Sequence, residues 1–161
     1  MIGHKRLLEV LDYDPDTGIF KWKERVSNRI TVGKEAGNKT LNGYMETRVL
    51  GHRFYLHRLA YFYMTGEMPS DDVDHINGDR TDNRWENLRP VSRQVNLQNR
   101  RGSNSRSSVG ILGVARHGNR YRALIKMPSG KTKHIGLYET SEEAHQAYLK
   151  AKRRYHEGCT I

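Results

Sequence analysis

The sequence predicts an α+β protein built from small antiparallel sheets and helices. Three observations predict it. Short segments of strand character alternate with strong turn signals, a few segments carry apolar residues at helical spacing, and only 35% of the 161 residues are hydrophobic. So low an apolar content suits two or three modest layers better than one deep core.

Leu7, Leu8 and Leu11 give residues 5–12 the spacing of a short helix. Asp14-Pro15-Asp16-Thr17-Gly18 is a turn signal, and Ile19-Phe20-Lys21-Trp22 follows as a short strand. Residues 25–42 are polar and Gly-rich, the composition of a loop. Residues 43–50 read as a strand, Gly51-His52 as a turn, and Arg53-Phe54-Tyr55-Leu56 as the returning strand. Leu59, Ala60 and Tyr63 then predict a helix over 57–64, ended by Gly66 and Pro69.

Residues 72–76 and 86–90 flank the polar loop NGDRTDNR and suggest a hairpin. Val91 and Val95, one turn apart, predict a helix over 91–100. Residues 101–109 (RGSNSRSSV) hold almost nothing that could be buried, so they read as a flexible basic linker and domain boundary. Three strands follow near 113–117, 121–127 and 131–138, then a helix over 141–156. Thr140 with Glu143 forms a capping-box pattern at its start and Gly158 closes it. The domain reading is therefore 1–100, with a core at 72–100, the linker 101–109, and 110–161.

Charge is distributed unevenly between these parts. Residues 1–90 hold 14 Lys/Arg and 14 Asp/Glu, whereas residues 91–161 hold 14 and 4, so the whole net charge of +10 lies in the second part. Phosphate neutralisation is the usual reason for such a bias, which points to nucleic acid. The basic residues do not line one amphipathic helix with a bulky apolar face, which argues against a membrane surface. No segment approaches the length of a membrane span, and no apolar signal core follows Met1. A lone cysteine, Cys159, excludes an intramolecular disulfide and a cysteine-built zinc site and fits a reducing cytoplasm.

The candidate chemistry lies in VDHINGD with Asp74-His75, WENLRP with Asn87, and RQVNLQN with Asn96. Together these residues resemble the HNH nuclease family over about residues 43–100. The resemblance implies a ββα-metal catalytic core, preceded by a small antiparallel sheet and followed by a three-stranded antiparallel sheet plus helix. It also implies phosphodiester hydrolysis by a homing or mobile-element nuclease of phage type. On that resemblance His75 is expected to be the general base, Asn87 to fix the histidine segment by hydrogen bonds, and Asp74 and Asn96 to hold one divalent cation. Asn99, three residues on, is the second choice for that last ligand.

The chemistry asks for these residue types. A phosphodiester is anionic and repels a nucleophile, and a hard cation offsets that charge. Carboxylate and amide oxygens favour Mg²⁺ or Mn²⁺ over zinc. An unperturbed imidazole titrates near pH ~6.5 and is largely neutral at physiological pH. Adjacent strand residues point to opposite faces, so Asp74 and His75 share a site only where the strand ends, and Asn77-Gly78 supplies that break. His52 and His57 read as structural or DNA-contacting rather than as ligands.

GVAR at 113–116, YRALI at 121–125, HIGLYET at 134–140 and EEAHQAYLKA at 142–151 resemble the ethylene-response-factor type of DNA-binding domain. Tyr121 and His134 depart from its plant pattern. Tyr121, Ala123, Ile125 and Met127 share one face of the middle strand, and Arg120, Arg122, Leu124 and Lys126 the other. Arg116, Arg120, Arg122, Lys126 and Lys133 are then DNA-contact candidates. The linker arginines Arg100, Arg101 and Arg106 are candidates for tracking the backbone, and Arg48 and Arg53 for strands that touch DNA ahead of the catalytic hairpin. Lys150, Lys152, Arg153 and Arg154 also fit a basic last turn that complements the helix dipole. Double-stranded DNA is the expected partner of a monomer with no obligate protein partner. The alternatives are a catalytically silent DNA-binding regulator, a zinc-bound structural module and an RNA-binding accessory protein.

Overall fold

The computed structural model describes residues 2–100, 102–103 and 107–160. It divides into two compact units, Met1–Ser92 and Arg93–Ile161. Sequence composition places the break at 101–109, but the helix before that stretch clusters with the C-terminal unit, for the packing reasons given below.

The first unit runs α1 (His4–Val10), β1 (Leu11–Asp14), β2 (Ile19–Trp22), β3 (Asn38–Lys39), β4 (Met45–Val49), β5 (His52–Tyr55), α2 (Leu56–Thr65), β6 (Asp72–His75), a single 3₁₀ turn (Trp85–Asn87) and β7 (Leu88–Val91). Its strands form three small antiparallel sheets, β1-β2, β3-β4-β5 and β6-β7. The helix expected over 5–12 stops at Val10, because Leu11 turns into β1 and pairs with Trp22. The β4-β5 connection is Leu50-Gly51, both at positive φ (49° and 84°), rather than Gly51-His52. A two-residue turn of this kind matches strand twist, at the cost of holding a leucine left-handed. Gly66 ends α2 in the left-handed conformation.

Leu7, Val10, Leu11, Phe20, Val49, Leu59 and Ala60 are sealed in one core that all three sheets share through α2. Tyr13 stacks on Phe20 with centroids 4.5 Å apart, and Tyr63 meets both rings edge-on. On α2, Arg58 donates to the carbonyls of Pro69 and Asp71, both at 2.8 Å, and so fixes the segment that enters β6.

The second unit holds α3 (Arg93–Gln98), β8 (Val114–His117), β9 (Arg120–Lys126), β10 (Thr132–Tyr138) and α4 (Ser141–Tyr155). Its sheet has the order β10-β9-β8, all antiparallel, with α4 packed on one face. Ala123 and Ile125 meet Ala144 and Tyr148 there, and Gly113 gives Tyr148 its space, since a Cβ would lie 2.1 Å from that ring. Thr140 and Glu143 form the reciprocal capping box.

The other end of α4 differs from expectation. His156 is the C-cap, and Gly158 instead lies against α3, where a Cβ would come 2.3 Å from the Val95 carbonyl oxygen. The Gly158 N–H donates to Gln98 Oε1 at 3.0 Å, and the Thr160 hydroxyl donates to Asn99. Lys152 is only 1% exposed, and its ammonium donates to the Arg100 carbonyl. A buried ammonium requires such an acceptor, so this lysine ties α4 to the end of α3 rather than facing a phosphate. The helix expected over 91–100 is shorter than its pattern, because Val91 pairs with Asp72 in the β6-β7 sheet.

Candidate active site

Register in the β6-β7 hairpin sets the site. Asp74 lies opposite Arg89, and His75 opposite Leu88. Val73, Asp74 and His75 are all buried, so both faces of β6 are covered. β6 ends at His75, whose carbonyl accepts the Gly78 N–H at 2.9 Å in a tight turn that places Gly78 at φ 76°. Asp74 points along the sheet to Arg89, with its Oδ2 3.0 Å from Nη2. His75 instead meets Asn83, with Nε2 3.3 Å from Oδ1.

Asn87 pins both sides of the intervening loop. Its Oδ1 accepts the Asn77 N–H at 2.9 Å, its Nδ2 donates to the Asp82 carbonyl at 2.8 Å, and its backbone carbonyl accepts the Ile76 N–H at 2.9 Å. Asn77, Asp79 and Thr81 fold the loop on itself through Asx-type turns. The Arg84 guanidinium and the Asn77 amide hold the Asp82 carboxyl down at about 2. From behind, Tyr13 donates to the Asn83 carbonyl at 2.7 Å, and Trp85 donates to the Pro15 carbonyl at 2.9 Å. Gly18 lies so close that a Cβ would come 2.4 Å from Arg84 N. The Asp14–Gly18 turn is thus a support for the loop that carries Asn83.

Burial pushes the His75 imidazole below its ordinary value, against the opposing pull of Asn83 and of the Asp74, Asp79 and Asp82 carboxylates. A ring so placed is uncharged at neutral pH and can accept a proton. A second imidazole lies beside it. The rings of His57 and His75 meet edge-on, with centroids 4.9 Å apart. Tyr44 is tilted against both, Tyr55 stacks on His57, and the Arg80 guanidinium sits 4.8 Å from the centre of the Tyr44 ring.

Asn96 and Asn99 belong to the second unit. Asn96 is half-buried on α3, whereas Asn99 is buried just past its end, with its Oδ1 already accepting the Thr160 hydroxyl.

The candidate DNA-contacting residues separate by face. Arg120, Arg122 and Lys126 lie exposed on the face of β9 away from α4. Arg116 pairs with Tyr121 and Lys133 with Ile125, which puts both on the face toward α4. Lys133 donates to the Tyr155 hydroxyl of that helix at 3.0 Å. Arg120 also pairs with Glu139 at 2.9 Å. In the first unit, Arg48 and Arg53 are cross-strand neighbours on an exposed surface, with Glu46 3.6 Å from Arg53. Arg100 is exposed, and Arg101 and Arg106 lie outside the described residues.

Sequence reasoning missed Asn83, Arg89 and the supporting Tyr13, and it read His57 as structural or DNA-contacting without its pairing to His75. Arg89 was accessible from the hairpin register opposite Asp74, and Asn83 from the Asx-rich loop. Nothing local marks His57 or Tyr13, whose partners are 18 and 70 residues away.

The HNH endonuclease family model matches residues 54–98, the stretch from β5 through α2 and the β6-β7 hairpin to α3. A solved structure describing DNA binding and cleavage by the HNH homing endonuclease I-HmuI is 23% identical, with a TM-score of 0.45, and the alignment covers 92% of this chain and 88% of that one. No curated protein matches the chain.

Proposed function

We propose that this chain, whose residues 54–98 match the HNH endonuclease family model, is a metal-dependent endonuclease hydrolysing phosphodiester bonds in double-stranded DNA, in the manner of a homing or mobile-element nuclease. The observation that carries this reading is His75 itself. It is a buried, uncharged imidazole at a strand end, oriented by Asn83 on a loop that Asn87 pins from both sides.

His75 is the general base. A water gives a proton to its ring nitrogen and its oxygen bonds to phosphorus. The P–O3′ bond breaks, and the 3′ oxygen takes up a proton to leave a 3′-hydroxyl and a 5′-phosphate. Asn87 fixes the loop so that His75 keeps one orientation, which matters because misplacement by about 1 Å costs on the order of 100-fold in rate.

The donor chemistry fits a hard cation. No group of three His, Cys, Asp or Glu suited to a metal occurs among the described residues, which disfavours a zinc cage. One carboxylate with an amide oxygen and waters is a usual set for Mg²⁺ or Mn²⁺. Asp74 holds the ion on this reading, with two oxygens able to serve Arg89 and a cation together. Such an ion, when bound, offsets charge on the phosphate and on the departing oxygen.

The basic second unit supplies grip. Its excess of Lys and Arg (14 against 4 acidic residues) suits phosphate contacts, with Arg120, Arg122 and Lys126 on the open sheet face. Two binding surfaces on one chain raise affinity through effective concentration and suit a long target site.

Incubating supercoiled plasmid with the purified chain and Mg²⁺ or Mn²⁺ tests the proposal. Wild-type protein converts it to nicked or linear DNA, whereas His75→Ala binds equally well and cleaves at least 100-fold more slowly. Binding without cleavage in any divalent metal would assign the chain to DNA regulation instead.

A further inference from the structure

His57 is, among the described residues, the residue of the first unit with a buried side-chain polar atom that has no hydrogen-bond partner. It is 6% exposed in the first turn of α2, and its Nδ1 is sealed from solvent with no hydrogen-bond partner among the described residues. An unsatisfied buried polar atom costs about 1–3 kcal/mol. A phenylalanine would give the same ring packing against Tyr44, Tyr55 and His75 without it. Native structures keep such groups for a reason, and functional sites are where they gather. Burial also drives the ring's affinity for a proton far down, to about 3, with His75 and Arg58 adding to the effect, so the ring is uncharged at neutral pH.

An uncharged imidazole carries one N–H and one bare nitrogen. Orphaned N–H groups are rarer inside proteins than under-used acceptors, so the bare nitrogen belongs at sealed Nδ1 and the proton at Nε2. Nε2, which is not sealed as Nδ1 is, is then the donor, on a ring whose centre is 4.9 Å from that of His75. The edge-on contact makes His57 a direct neighbour of the general base.

We infer that His57 is a second catalytic imidazole, donating a hydrogen bond from Nε2 to a non-bridging oxygen of the scissile phosphate. It transfers no proton. It meets charge that grows on that oxygen as phosphorus is attacked, and its neutrality is an advantage beside a general base, because a charged neighbour would disfavour proton uptake by His75. Loss of one preorganised donor of this kind slows catalysis on the order of 100-fold.

This rests on the nuclease reading, so plasmid cleavage by wild type and its loss in His75→Ala come first. On the plasmid that wild type cuts, single-turnover rate, DNA affinity and thermal midpoint are then compared for two full-length variants. His57→Phe keeps the ring and removes the donor. His57→Gln returns an N–H at similar reach. We expect His57→Phe to bind DNA within twofold of wild type, to melt no lower, and to cleave on the order of 100-fold more slowly, with His57→Gln recovering at least fivefold of that loss. A His57→Phe rate within threefold of wild type overturns the inference. So does a folded His57→Gln as slow as His57→Phe, since the ring and not its N–H would then be what matters. If the phenylalanine ring prevents folding, His57→Leu takes its place with the same expected outcomes.

Discussion

The two compact units handle polar groups in opposite ways. Among the described residues, the N-terminal unit buries Thr47, His57, Asp74, His75, Asn83 and Asn87, most of them around one hairpin, and is neutral in total charge. The C-terminal unit buries only Asn99 and Lys152 and carries its excess charge on exposed strand and helix positions. Desolvated groups have fixed geometry and shifted proton affinities, as chemistry requires. Solvated cations attract phosphate at long range and tolerate imprecise placement. On the proposed nuclease reading, the contrast fits His75 chemistry in the first unit and phosphate grip in the second.

The comparison breaks most readily at Asn87. Asn87→Ala removes an acceptor and a donor that hold both sides of the loop after His75. Cleavage should fall on the order of 100-fold and stability by about 2 kcal/mol, while DNA affinity stays near wild type. A variant that loses affinity in step with rate would move DNA grip into the catalytic hairpin. Next in size is the combined change of Arg120, Arg122 and Lys126 to alanine. Affinity should drop about tenfold or more and the slope of log affinity against log salt by about 3, if each meets one phosphate. Arg116→Ala with Lys133→Ala, on the face toward α4, should change that slope by less than about 1. Equal effects from the two sets would show that the sheet face is not what selects contacts.

A smaller effect concerns pH. His57 binds a proton at about 3 when folded and near 6.5 when unfolded. Its folded value is depressed, so the neutral ring's stability is fully present above pH ~6.5 and is lost as pH falls toward 3. Urea midpoints should show the wild type losing on the order of 1–2 kcal/mol between pH 7 and pH 5 that His57→Gln does not lose. The smallest effect belongs to the half-exposed Arg6–Glu24 pair, 2.7 Å apart. Arg6→Ala should leave both the thermal midpoint and cleavage unchanged within error, as solvent-screened pairs do.

How legible each part was depended on the range of the interactions behind it. The β8–β10 strands and the α4 cap could be read from alternation, turn residues and a capping box, all of which act within a few residues. The β6-β7 hairpin was equally visible, and with it Asp74, His75 and Asn87. Where a local pattern met a competing partner, it misled. Leu11 and Val91 fit helical spacing, yet each is claimed by a strand partner. Gly158 has the look of a helix stop, yet it serves as a flat spot for α3.

The sequence alone therefore determined the α+β class, most of the order of elements, the charge step between the parts and the placing of Asp74, His75 and Asn87 on one hairpin region, because these follow from period, turn chemistry and composition. Tertiary structure decided which polar groups lose their water. Only folding brings His57 to His75, seats Tyr13 behind Asn83, buries Lys152 and sorts the cations of the C-terminal sheet by face. Burial and through-space pairing are properties of the packed chain, and no local window of residues encodes them.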